Sequence, residues 1–182
     1  MPTYVSLLRG INVSGHNQIA MGVLRDVFES HGHHDVTTYV QSGNVVSTTS
    51  VKRPAEVARA LEGAIADGLG LDVVVLVRTP TELGRVLDGN PFVAREDDPT
   101  KLGVTFLSER PARAAVAALA TAHFSPDEFA VSGREIYVHV PNGFGRTKVN
   151  NTFFEKKLGV AATTRNWKTV RRLVELTTAE WA

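Results

Sequence analysis

Apolar and polar positions follow two rhythms along this chain, and the switches between them mark its elements. Residues 4–8 form a short apolar run ended by Arg9, which predicts a buried strand. The stretch GINVSGHNQ that follows is rich in residues that accept a left-handed backbone or bond their own chain, so it reads as a loop. Met21, Val23, Leu24, Val27 and Phe28 then recur at helical spacing, with Gly32 as the stop. Residues 36–41 and 45–49 read as strands joined through Ser42-Gly43-Asn44. Pro54 opens a second helix with Val57, Ala58, Leu61, Ala64 and Ile65 on one face, and residues 71–77 close the series as a strand. The order is βαββαβ.

The same order returns further on. Residues 104–107 read as a strand, 110–122 as an Ala-rich helix with Pro111 at its start, and 128–131 with 135–140 as a hairpin turning through Ser132-Gly133-Arg134. A helix over 151–158, a closing strand over 161–164 and a final helix over 169–176 complete the chain. The pattern predicts an α+β fold of two tandem ferredoxin-like (βαββαβ) units with an added C-terminal helix. Residues 1–88 make the first unit and 101–182 the second. A short helix over 81–87 and a polar linker, 89–100, lie between them. The repetition is one of pattern, since the halves share no matching residue strings.

Composition narrows the chemistry. At 182 residues and 43% hydrophobic, the chain can bury a substantial core. It has no cysteine, which removes disulfides, thiolate metal sites, iron–sulfur clusters and cysteine nucleophiles, and fits a reducing cytoplasm. No secretion signal is read at the N-terminus. The longest apolar run, VVVLV at 73–77, falls far short of the roughly 20 residues that span a bilayer, so no membrane partner is expected. The net charge of +1 is unevenly spread: residues 132–182 hold 9 Lys+Arg against 4 Asp+Glu, whereas residues 1–131 hold 11 against 15. The basic end could attract phosphorylated ligands or nucleic acid, or be a solvated helical surface.

Four strings carry a resemblance: YVSLLRGINVSG at 4–15, TYVQSGNVV at 38–46, GFGRTKVNN at 143–151 and LGVAATTRNWKTVRRLVEL at 158–176. With them the chain resembles the domain-of-unknown-function family numbered 1697. The resemblance implies a bacterial α+β protein with no established activity. Where that family commonly reads GINVGG, this chain has Ser14.

The candidate ligand-binding residues lie in three places. The loop from Arg9 to Asn17, with Asn12 at its centre, leaves a strand end where backbone N–H groups can hold an anion, or it is a structural turn. It has only Gly10 and Gly15 and no Walker lysine, so it meets no nucleotide-binding motif and no cofactor is expected. Gln41, Ser42 and Asn44 flank the first hairpin and offer amide and hydroxyl groups, though turn chemistry explains them equally well. The largest cluster is C-terminal: Arg146 and Lys148 before a helix, and Arg165, Asn166 and Lys168 around Trp167 in a loop after a strand. A guanidinium grips an oxyanion bidentately and an indole stacks, but a core place for Trp167 fits the pattern equally well. His31, His33 and His34 sit at a helix end without a ligand-like carboxylate, so no metal site is expected. His139 on a strand could act as a base on an open sheet face or be a structural histidine, and no Ser-His-Asp order, carboxylate pair or nucleophile elbow is assignable.

Three functions follow. The first is binding of a small anionic or phosphorylated ligand between the two halves, with or without catalysis. A nucleic-acid module is the second, and only weak affinity is expected of it because the strands lack the aromatic strings of RNA-binding sheets. The third is a protein-interaction module.

Overall fold

The structure, a computed structural model, describes residues 1–179. Two units make it up: Met1–Arg85 with the segment that begins at Arg172, and Val86–Arg171.

In the first unit the elements are β1 (Thr3–Leu8), α1 (Met21–Ser30), β2 (His33–Tyr39), β3 (Asn44–Thr49), α2 (Pro54–Leu69) and β4 (Val75–Arg78). The sheet order is β2-β3-β1-β4 with every neighbouring pair antiparallel. Tyr4, Leu8, Val45, Val75 and Val77 on one sheet face pack with Leu24, Val27 and Phe28 of α1 and Val57, Leu61 and Ile65 of α2. Each large apolar side chain so enclosed is worth about 1.5–3 kcal/mol. The opposite strand face, with Val5, Leu7, Val46 and Leu76, is buried too. Burial of both faces explains why β1 reads as a continuous apolar run rather than an alternating one. The chain leaves through α3 (Pro80–Asp88), opened by a reciprocal capping box. In it Glu82 N–H donates to Thr79 Oγ1 at 3.2 Å and Thr79 N–H to Glu82 Oε2 at 2.8 Å.

The second unit holds β5 (Leu102–Leu107), α4 (Arg113–Leu119), β6 (Glu128–Ser132), β7 (Glu135–His139), α5 (Asn151–Leu158) and β8 (Ala162–Asn166), and α6 (Trp167–Thr178) begins in it. Its sheet order, β6-β7-β5-β8, repeats the first. Leu107, Ile136, Val138 and Ala162 meet Leu119 of α4 and Phe154 and Leu158 of α5.

The two halves are alike in their hydrogen bonds although not in their residue strings. Arg9 N–H donates to Val74 O at 2.9 Å, and Ser108 N–H to Ala161 O at 2.9 Å. At the start of each last strand a helix carboxylate takes the backbone N–H: Glu62 from Val75 and Glu155 from Ala162, both at 2.9 Å. Three residues on, each strand carries a buried arginine. Arg78 faces Val5 of β1 and Arg165 faces Val104 of β5.

Several boundaries differ from the sequence reading. Residues 89–100, read as a polar linker, group with the second unit, where Phe92, Arg95 and Glu96 contact His139 and Glu128 of its sheet. Residues 172–179 group with the first unit. The Ala-rich helix is shorter than 110–122 at both ends. His33 and His34 lie in β2 and not at a helix end, since α1 stops at Ser30 and Gly32 turns the chain at φ 79°.

His33 couples this geometry to pH. Its ring is buried edge-on to Phe28, with Nδ1 2.9 Å from Ser47 Oγ. Burial, aided by the nearby His31 and His34, lowers its pKa to about 4. The unfolded ring titrates near its ordinary value of about 6.5. Above that pH both states are neutral and the ring has no effect; as pH falls toward 4, the unfolded chain takes up a proton that the folded one refuses, and stability is lost. The stability lost between about pH 7 and pH 4.5 should be smaller by about 2 kcal/mol in His33→Gln than in the parent chain, measured by urea unfolding. An equal loss in both proteins would show that the folded ring accepts its proton freely.

Candidate functional site

The loop after β1 is held by its own asparagines. Asn12 Nδ2 donates to Ile19 O at 3.0 Å and Gln41 O at 2.7 Å, and its Oδ1 accepts from Ile19 N–H at 2.8 Å. Asn17 Nδ2 donates to Gly10 O at 3.2 Å. Asn12, Ser14 and Asn17 all have a left-handed backbone, with φ of 53°, 50° and 47°. That conformation is costly for side chains other than Gly, Asn and Asp, so Ser14 holds its place in the loop under backbone strain. Arg9 is half-buried and Gln41 exposed. Asn44 is buried, and its Nδ2 braces the hairpin by donating to Tyr39 O at 2.9 Å and Ser42 Oγ at 3.0 Å. Asn12 and Asn44 thus spend their amides on the chain itself.

The C-terminal cluster divides. Instead of the expected loop, β8 pairs with β5 through Asn166 and α6 starts at the next residue. Arg165 is buried at 6% exposure; its Nη1 donates to Thr163 Oγ1 at 2.8 Å and Thr164 O at 3.1 Å, and burial lowers its pKa to about 10. Trp167 is buried at the start of α6. Asn166 Oδ1 caps that helix by accepting from Thr169 N–H at 2.8 Å. Lys168 is exposed, in the field of Asp98. The Asp98 carboxyl is held below its usual range first by hydrogen bonds from Thr100 and to a smaller extent by Lys101 and Lys168.

Arg146 and Lys148 are the pair that the structure brings together. Both are exposed and line an open groove of about 760 Å³, along with His123, Asn142 and Thr147. The turn carrying Arg146 is seated by Phe144, whose ring lies over Gly103 of β5: a Cβ there would fall 2.7 Å from Phe144 Cζ. Thr147 Oγ1 donates to Asp127 Oδ2 at 2.6 Å and accepts from Val149 N–H at 3.0 Å, tying the two groove walls together. Asn150 then caps α5 through Phe153 N–H. Two exposed cations with a histidine on the same groove suit an oxyanion, and the one carboxylate lining it already accepts a hydroxyl. His123 and Asn142 went unread in the sequence because they lie in loops with no periodic signal.

A second polar cluster was also missed. His139 Nε2 lies 3.0 Å from Glu96 Oε2 and Nδ1 lies 3.1 Å from Glu128 Oε2, and Arg95 pairs with Glu128 at 2.9 Å. Phe92 stacks on the His139 ring. The Glu96 carboxyl is held low mainly by its bond from His139, and that of Glu128 mainly by Arg95. Of the two sequence readings of His139, a base on an open sheet face or a structural histidine, the structure shows the second: it is a buried tie between the sheet and residues 92–96. Among the described residues no group of three His, Asp or Glu side chains could hold a metal ion, and no helix is long and apolar enough to cross a membrane.

The family described as protein of unknown function DUF1697 has a model that matches residues 1–137, and the chain belongs to that family. Among solved structures, the chain is similar to the conserved bacterial protein SP0830 from Streptococcus pneumoniae. The two are 21% identical with a TM-score of 0.74, and the likeness covers 98% of this chain and 99% of that one. A comparison with curated proteins gives no match.

Proposed function

We propose that this protein binds a small anionic or phosphorylated ligand, and that the groove of Arg146 and Lys148 in the second unit holds its charge. The observation that carries this reading is the convergence of Arg146, Lys148, His123 and Asn142 on one open groove whose walls are bonded together. Arg165 and Trp167 lie buried, Asn12 and Asn44 are committed to the backbone, and Lys168 stands in the field of Asp98, whereas Arg146 and Lys148 are exposed side by side on one groove.

Calorimetric titration with inorganic phosphate and pyrophosphate tests the reading. Arg146→Ala and Lys148→Ala should each weaken pyrophosphate binding about tenfold, near 1.4 kcal/mol, with unfolding temperature unchanged. Binding that survives both substitutions would place the anion elsewhere.

A further inference from the structure

We infer that the ligand is amphiphilic, an anionic head with an uncharged apolar body, and this rests on the anion groove proposed above. The wall formed by residues 123–127 has two sides. One side faces Arg146 and Lys148; the other lines a second groove of about 780 Å³ that runs along α4 and β6. Val116, Ala120, Phe124, Phe129 and Val131 give that second groove its apolar lining. A ligand whose head reaches Arg146 and Lys148 therefore meets apolar surface as soon as it passes the wall.

Size favours such a body. An inorganic anion fills a small part of a groove of hundreds of cubic ångströms, the range that drug-sized ligands occupy. The charged groups near the apolar side are already engaged: Asp127 accepts from Thr147, and Glu128 is taken up by Arg95 and His139. A cationic body therefore finds no unengaged carboxylate there. The wall is also firmly placed. Asp127 N–H donates to Phe124 O at 2.8 Å, and the Phe124 ring stands edge-on to Phe153 of α5 with centroids 5.0 Å apart. Phe129 packs edge-on to Phe154 behind it. A preformed apolar surface of this kind adds affinity for every methylene or aromatic carbon it covers.

Titration of the full chain with inorganic phosphate, 1-naphthyl phosphate and neutral 1-naphthol separates head from body. The naphthyl ester should bind about tenfold more tightly than phosphate or naphthol. Arg146→Ala should weaken both phosphate and ester. Ala120→Glu, an exposed change at the end of α4, should weaken the ester alone. If ester and phosphate bind equally and Ala120→Glu changes neither, the apolar body is refuted while the anion groove stands. If neither anion binds, or Arg146→Ala leaves both unaffected, the anion groove itself is refuted and this inference with it.

Discussion

Gly43→Ala should lower the stability of the first unit by about 3–4 kcal/mol. Two costs add. Gly43 has φ 82°, where an L side chain is strained by about 1–2 kcal/mol. Its new Cβ would also stand 2.7 Å from Ile11 Cδ1 and 2.8 Å from Leu8 Cβ. Leu8 cannot retreat, because its N–H donates to Gly43 O at 2.8 Å and its side chain is fully buried. Gly10→Ala isolates the first cost: φ is 68° there, but nothing lies within 4 Å of the added carbon, so about 1 kcal/mol is expected. Urea unfolding of both variants gives the comparison. Equal losses would mean that Ile11 yields without penalty and that the loop after β1 is not seated on Gly43.

Arg165→Ala should destabilise the second unit by about 3 kcal/mol and leave pyrophosphate binding within about twofold of the parent chain. A buried guanidinium with pKa about 10 stays charged at neutral pH, and its removal strips Thr163 Oγ1 and Thr164 O of a charged donor and opens a void beside β5. Arg165→Met retains most of the volume and should lose less. Unfolding temperature and calorimetry on the same samples decide between support and ligand contact. Loss of binding with stability intact would return Arg165 to the site.

The repeated βαββαβ order was legible because each half has helical spacing beside short apolar runs and a Gly-marked turn between two strands. Strand ends were less legible. Residues 165–168 read as a loop because Arg, Asn and Lys are polar, yet sheet pairing with β5 carries the strand on to Asn166 and buries Arg165. A one-dimensional pattern cannot show that an arginine lies inside. The same limit applies to Asn12 and Asn44, whose amides look available in a list of polar residues and are used by backbone carbonyls in three dimensions. Arg146 and Lys148 were legible as cations before a helix. Their groove was not, since its other wall comes from residues 123–127, which no spacing rule connects to them.

The division of the chain has a consequence for its synthesis. The first unit is discontinuous, comprising Met1–Arg85 and the stretch from Arg172, while Val86–Arg171 is an unbroken segment. On a ribosome the middle segment is complete in sequence before the last part of the first unit has been made. The earlier residues must therefore wait through the translation of a whole unit before their own is complete, at about 5–20 residues per second a delay of several seconds. Once Arg171 has been added, the nascent chain carries a second unit complete in sequence and a first unit that still lacks its last stretch.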